Sequence, residues 1–302
     1  MGGEGERRPD AVLLAGPTAS GKSALAMDWA EREGGAVVNA DSMQVHDVLR
    51  LVTARPSAED EARVPHRMYG FARPGEPMSA ARYAAAFSAT RDELRERGLV
   101  PIVVGGTGLY LEALVDGLSP VPPVDAEVRV AVRALATEGG AHAVHVALRR
   151  ADPAMADRLR PSDTQRLARA LEVVRSTGRS LRDWQNEREP GPLAGARLER
   201  VLLMPPRPVL HERIARRAAH IVDDPRAHRE VERLRELDPE GRTLAARAIG
   251  VSQIGDLLDG RRTRDEALHD LVVATRRYAK RQSTWFNNRM RDWRRIDAAP
   301  GA

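Results

Sequence analysis

Short apolar runs alternate with amphipathic stretches through the first third of the chain. Ala11–Ala15 is apolar at every position and is closed by Gly16-Pro17. A continuous run of that length between turn residues reads as a strand buried on both faces. Ser23–Arg32 then carries Leu25, Met27, Trp29 and Ala30 among polar residues, a helical pattern. Ala36–Ala40 is a second short strand, followed by Asp41. Ala80–Arg97 reads as a helix, with Gly98 as its stop. Leu99–Val104 is a third buried strand, running into Gly105-Gly106, and Leu109–Val115 restarts a helix. Strands alternating with helices predict a parallel sheet with right-handed crossovers.

The texture changes after Ser119–Pro123. From Asp125 to Asn186 the pattern is helical, with breaks at Pro153, Pro161 and Gly178. Glu187–Ala196 holds two prolines and two glycines and reads as a loop. Val201–Met204 looks like a returning strand, and Pro208–Leu237 and Asp265–Trp285 are helical by period. The expected organisation is an α/β core, residues 10–124 and 197–295, interrupted by an all-helical insertion at 125–190. The second part of the core is expected to end in a basic C-terminal helix.

A chain of 302 residues with 42% hydrophobic positions is long and apolar enough for a packed core. Its longest apolar runs are far short of a membrane span, and Met1–Asp10 has no signal-peptide pattern, so a cytoplasmic protein without a membrane partner is expected. The absence of cysteine excludes disulfides, thiolate nucleophiles and zinc fingers. The eight histidines show no convincing metal spacing, and no transition-metal site is expected. Of 48 basic residues only Lys22 and Lys280 are lysine. An arginine bias explains the rest. Where lysine persists, its compact ammonium can serve where a planar guanidinium cannot. The net charge of +5 also hides its distribution, because Arg276–Arg295 holds eight basic residues and one acid.

Lys22 lies in Gly16-Pro17-Thr18-Ala19-Ser20-Gly21-Lys22-Ser23, a match to G-x-x-x-x-G-K-[ST] with a strand before it and a helix after. The loop amides and the start of the helix can face a pyrophosphate. Lys22 would reach the outer phosphate, and Ser23 is placed to ligate Mg²⁺. The core is therefore expected to be P-loop NTPase-like. The motif specifies a pyrophosphate, not which one.

Two further loops fall on the same rim, beyond the carboxyl ends of the strands. Asp41, in the Asn39–Gln44 segment, reads as a water-mediated Mg²⁺ ligand, as a general base on a substrate N–H or O–H, or as a strand-end cap. Gly105–Tyr110 reads as a phosphate-contacting loop carrying Thr107, or as a plain connection.

In the tail, Tyr278, Trp285, Phe286 and Trp293 interleave with the basic residues. Basic groups track a phosphate backbone and aromatic faces stack bases. The competing reading packs Tyr278, Trp285 and Phe286 inward and leaves arginine in water. In the insertion, Arg166 and Arg169 share a helix face, with Arg175, Arg179 and Arg182 following. A solvated face would look the same, and Leu167, Leu171 and Val174 read as core.

Several blocks together carry a resemblance: GPTASGKSALA (16–26), NADSMQV (39–45), TARP (53–56), PHR (65–67) and GGTGLYLEAL (105–114). VPP and EVR (121–129), RLxPSDxQRLxRALEVxxxTGRSL (158–181), AIGV (248–251) and TRRYAKRQSTWF (275–286) continue it. In this order, from about residue 10 to 290, the chain resembles the bacterial tRNA dimethylallyltransferase family. The resemblance implies transfer of dimethylallyl from dimethylallyl diphosphate to the exocyclic N6 amine of the adenosine 3′ of the anticodon, with Mg²⁺ as cofactor. It implies that Gly16–Ser23 holds the donor diphosphate rather than serving ATP hydrolysis, and that Arg213 or Arg217 also faces it. Asp41 would take the amine proton, and Thr107 would help stabilise the leaving group. Ser42, Met43 and Gln44 would contact the region of the flipped base. Thr107, Arg129 and the stretch Gln165, Arg166, Leu167, Ala168 and Arg169 would touch the anticodon stem-loop, joined by Lys280 and Arg281 of the tail. A monomer is expected.

The chain departs from the family pattern at His46, where tyrosine is usual, and at Val52, where glycine is usual. A Met…Gly pattern is also missing around His220–Arg229. A P-loop small-molecule kinase would explain Gly16–Ser23 and Asp41 but not the basic tail or the insertion. An adenylate isopentenyltransferase has no need of a basic insertion. An RNA-binding module with a decayed loop has no need of an intact Lys22-Ser23.

Overall fold

The computed structural model describes residues 8–297. The chain divides into two compact units, one running to Val115 and resuming at Pro192, the other Asp116–Gly191.

The first unit begins with β1 (Ala11–Ala15), α1 (Lys22–Glu33), β2 (Gly35–Asn39), a short α2 (Ala58–Arg63) and β3 (His66–Arg67). It continues through α3 (Ala80–Glu96), β4 (Val100–Gly105) and α4 (Gly108–Val115). The second unit is helical: α5 (Ala126–Ala151), α6 (Pro153–Arg158), α7 (Thr164–Thr177) and α8 (Leu181–Gln185). The first unit then resumes with β5 (Leu198–Leu203), α9 (Arg207–Asp223) and α10 (Pro225–Leu237). After a 3₁₀ turn at Ala245–Arg247 come α11 (Val251–Leu258), α12 (Arg264–Arg289) and β6 (Arg294–Ile296). No helix among the described residues is long and apolar enough to cross a membrane.

The six strands form one sheet in the order β3-β2-β4-β1-β5-β6, with every pair parallel. β1, β2 and β4 are buried at every position because helices cover both faces. Alternate residues go to opposite sides. Leu13, Val38 and Val103 pack with Tyr83, Phe87 and Leu111 of α3 and α4, whereas Leu14, Val37 and Ile102 pack with Leu25 and Met27 of α1. A third cluster joins Ile221, Val231, Ile254 and Leu271 of the C-terminal helices to Leu49 and Val52 of the loop after β2.

The structure corrects the expected elements at two breaks. The helical stretch Pro208–Leu237 breaks at Asp224, whose side chain accepts from the Arg226 amide while Pro225 starts a new helix. Gly140, at φ 63, interrupts α5. The helix expected over Asp265–Trp285 is α12. α12 ends at Arg289, Met290 and Trp293 turn into the core, and β6 pairs with β5. The short β3, α2 and α11 add to the expected elements.

The helical unit closes over its own core of Val132, Val144, Leu148, Leu167 and Leu171. Leu167 is fully buried there, so it packs and is not available to touch RNA. Gln165, Arg166 and Arg169 are exposed on the same helix, as is Arg129 on α5. Burial and the neighbouring Arg129 both lower the Arg169 pKa, against the pull of Glu172.

Candidate active site

The strand order explains why three distant segments meet. β4 lies between β1 and β2, so the loops leaving the carboxyl ends of these strands are neighbours on one rim. They are Gly16–Gly21, Ala40–Gln44 and Gly106–Thr107, the sequence-predicted segments of the first unit.

The first loop is tightly curled. Ala19 has φ 63 and Gly21 φ 94, left-handed values that cost a residue with a Cβ but not glycine. Gly16 is required for a second reason: a Cβ there would fall 2.7 Å from the Leu203 carbonyl oxygen and 2.8 Å from Ser20 Oγ. The first turn of α1 follows at once and leaves its amides without helical partners. Lys22 Nζ lies 3.4 Å from the Pro17 carbonyl, and Ser23 is exposed beside it. Burial lowers the Lys22 pKa to about 8; Asp41 opposes that shift and Arg217 adds to it.

α9 braces this loop from the opposite side. Arg213 Nη1 donates to the Ser20 carbonyl at 2.8 Å, and Arg217 Nη2 donates to the Thr18 hydroxyl. Both are half-buried and separated by one helical turn, so they present guanidinium groups to the same place. Burial lowers the Arg217 pKa, and Asp41 offsets part of that.

Asp41 is held by its backbone. Its amide donates to Asn39 Oδ1 at 2.8 Å, and Asn39 Nδ2 donates to the Asp41 carbonyl at 3.0 Å and to Met68 O at 3.1 Å. Tyr83 Oη in turn donates to the Asn39 carbonyl at 2.9 Å. Asp41 Oδ1 accepts the Met43 amide at 2.9 Å. Among the described residues no hydrogen bond to Oδ2 occurs, which leaves that oxygen able to take a proton. Thr107 Oγ1 accepts the Ser42 amide at 2.9 Å and lies 3.2 Å from Ser42 Oγ. Gln44 turns away, donating through Nε2 to Thr53 O at 2.8 Å and Ala54 O at 3.0 Å. Its side chain therefore fixes the following loop and has no free donor for a base.

Of these, Thr18, Asp41, Ser42, Met43 and Arg217 border a cavity of about 260 Å³. Thr18, Asp41 and Arg217 form its polar side, and Val52, Ile214, Ala218 and Ile221 an apolar wall. Arg281, Tyr278 and Arg247 also line it. Lys280 is exposed on α12 and does not line the cavity. Val52 packs against Gly250, where φ is 111 and a Cβ would sit 2.9 Å from Val52 Cγ1. His46 is fully buried and faces no part of the cavity lining. Arg129 and Gln165–Arg169 belong to the helical unit.

The tail divides. Phe286 and Trp293 are core residues, so the stacking role that the sequence left open for them is excluded. Trp285 is half-buried beside Gly108, where a Cβ would collide with its ring. Asn39 and Gln282 organise the rim and were not picked out from the sequence. Gln282 carried a legible signal: Thr275, Ala279, Gln282 and Phe286 form one buried stripe of α12, and a polar residue in such a stripe needs a specific partner.

The IPP transferase family model matches residues 44–289. A tRNA dimethylallyltransferase of Agrobacterium fabrum is 46% identical over 288 residues, 95% of this chain and 96% of its own. One of Parvibaculum lavamentivorans is 46% identical over 94% of this chain and 90% of its own. The solved tRNA isopentenylpyrophosphate transferase of Bacillus halodurans is 32% identical, covers 96% of this chain and 90% of its own, and superposes with a TM-score of 0.64. A eukaryotic dimethylallyltransferase solved acting on tRNA shares the fold, with a TM-score of 0.76 over 96% of this chain and 74% of its own at 24% identity.

Proposed function

The chain belongs to the IPP transferase family, and we infer from that membership and from the rim geometry that it is a tRNA dimethylallyltransferase. It transfers dimethylallyl from dimethylallyl diphosphate to N6 of the adenosine 3′ of the anticodon. The observation that carries the reading is the meeting of a P-loop-like cradle with a backbone-fixed aspartate across one small cavity.

The Gly16–Ser23 loop, Lys22, Arg213 and Arg217 receive the diphosphate. N6 attacks the allylic carbon, the carbon–oxygen bond breaks, and its electron pair leaves with the diphosphate. The positive groups are already fixed by Thr18, Ser20 and the α1 turn, so little reorganisation is needed as charge builds on the leaving group. Asp41 Oδ2 takes the N6 proton. An aromatic amine is a very weak acid, so this transfer accompanies bond formation rather than preceding it. Thr107 holds the Ser42 amide and so the loop that carries Asp41. The adenine must leave its stack to reach the rim.

The Ser23 hydroxyl, exposed at the start of α1 beside Lys22, suits one ligand position of Mg²⁺. Among the described residues no cluster of three acidic or histidine groups could hold an ion unaided. Mg²⁺ commonly takes most of its ligands from water and substrate phosphate, which is compatible with that donor set. When bound it neutralises charge on the diphosphate. Arg129, Gln165, Arg166 and Arg169 of the helical unit, with Lys280 and Arg281 of α12, are the groups we assign to the anticodon stem-loop. We read the protein as a cytoplasmic monomer.

The test is transfer of labelled dimethylallyl to unmodified tRNA, an anticodon stem-loop and AMP, with ATP alone as control. Label on both RNAs and none on AMP is expected. Label on AMP alone would establish an adenylate transferase, and ATP consumption without prenylation a kinase.

A further inference from the structure

We propose that Gln282 is the positioning residue that locks the donor loop to the acceptor loop. Its side chain is buried, and each end of its amide is used. Oε1 accepts the Thr18 amide at 2.8 Å, and Nε2 donates to the Gly106 carbonyl at 2.9 Å. Thr18 lies in the curled loop after β1 and Gly106 in the loop after β4, so one amide spans two of the three rim segments. The third is coupled in turn. Gly106 precedes Thr107, whose hydroxyl holds the Ser42 amide, and Ser42 follows Asp41.

Two observations mark this as a built arrangement. A Cβ on Gly106 would collide with Gln282 Nε2, so glycine at 106 is what lets the side chain approach. Gln282 also occupies a position of α12 whose neighbours in the buried stripe, Ala279 and Phe286, are apolar. Placing a primary amide there is costly unless both its donor and its acceptor are satisfied. Asparagine, the other primary-amide side chain, is one methylene shorter. Gln282 touches no reacting atom in this scheme. It sets the distance between the leaving diphosphate and the base that accepts the N6 proton. The inference rests on the reading of Gly16–Ser23 as the donor loop.

The experiment uses the full chain with Gln282→Met and Gln282→Glu. Binding of tRNA, and of a donor analogue with sulfur in place of the bridging oxygen, is measured separately from kcat at saturation. Gln282→Met removes both bonds and should lower kcat about 10- to 100-fold while each Kd stays within about threefold. Gln282→Glu keeps the acceptor toward Thr18 but, when ionised, sets a carboxylate against the Gly106 carbonyl. Its protonated form is nearly isosteric with the amide and donates again. The ratio of kcat for Gln282→Glu to that of the native chain should therefore rise about tenfold or more as pH falls from about 8 to about 5.5. If Gln282→Met fails to fold, this ratio decides alone.

A flat ratio overturns the proposal, as does a kcat loss that lost donor binding accounts for entirely. A native chain that prenylates tRNA beside indifferent variants rejects only the role of Gln282. A native chain that transfers nothing rejects the transferase reading, and this inference with it.

Discussion

The amide of Ser42 donates to the side-chain oxygen of Thr107 across 2.9 Å, joining the end of β2 to the end of β4. The bond is of ordinary length, partly buried and spans 65 residues of sequence. Thr107→Val keeps the shape and deletes the acceptor. A buried amide left unpaired costs about 1–3 kcal/mol, and the loop would shift to avoid that. We expect kcat to fall about tenfold, with donor affinity almost unchanged. Steady-state kinetics beside a donor-binding titration checks this. A change confined to donor affinity would place Thr107 against the diphosphate instead.

Asp41 is fixed by Asn39 and Met43, with one carboxylate oxygen left over. Asp41→Asn keeps the acceptor for the Met43 amide and removes the base. We expect transfer to fall by about 10²- to 10⁴-fold, the usual range for a general base, with tRNA binding within about threefold of native. Single-turnover transfer and filter binding separate the two. Loss of binding with normal transfer at saturating tRNA would make Asp41 a recognition residue.

Lys22 gives the donor step a pH dependence. Its pKa is lowered to about 8, chiefly because burial disfavours the ammonium. The charge is present below that value and lost as pH rises through it. A diphosphate favours the charged form, so donor affinity should be highest below about 8 and weaken above it, by at most tenfold per pH unit. Calorimetry with a non-transferable donor across this range reads the effect. Lys22→Gln should flatten it, and Lys22→Arg should not restore native binding, because a planar guanidinium does not fit a point-charge position.

The parallel core was legible because β1 and β4 are apolar at every position, a pattern that strands covered on both faces produce. Two of the rim loops were legible from their glycines and from the lysine retained at 22, and the third from Asp41 at the end of a short strand. The second core part was not. The break at Asp224 depends on one cap and one proline inside a continuous helical period, and β6 is three residues with two exposed arginines. Short edge strands gain their identity from the neighbour they pair with, here β5, which local pattern does not contain. Arg213 and Arg217 came from family resemblance alone. The structure supplies their reason, since one helical turn aims both at the loop between Thr18 and Ser20.

Phe286 and Lys280 separate the two roles that the sequence left mixed in the tail. Phe286, on α12, is fully buried in the core cluster that also holds Leu111 and Leu114 of α4. Phe286→Ala should destabilise the fold by about 3–5 kcal/mol through lost burial and the cavity left behind. Thermal unfolding would show it, and at a temperature where the variant stays folded its tRNA affinity should be close to native. An affinity loss without a change in stability would return Phe286 to the RNA surface.

The basic residues of the tail divide in the same way. Arg294 pairs with Glu199 and Arg289 reaches Glu112, whereas Lys280 and Arg281 are exposed and belong to no ion pair among the described residues. A side chain already neutralised by a carboxylate releases few counterions when RNA binds. One facing solvent releases its full share, about 0.7–0.9 in the slope of log Kd against log salt. Lys280→Ala and Arg281→Ala should each weaken tRNA binding and reduce that slope by about this amount. Arg294→Ala should leave the slope nearly unchanged, because the charge it removes is balanced by Glu199. Binding isotherms at several salt concentrations, with all three variants side by side, test the division. If Arg294→Ala alters the slope as much as Lys280→Ala does, then RNA displaces Glu199 and the face around β6 is part of the interface. If none of the three alters it, the tail lies outside the interface, and the salt dependence belongs to the helical unit, where Arg129 is exposed.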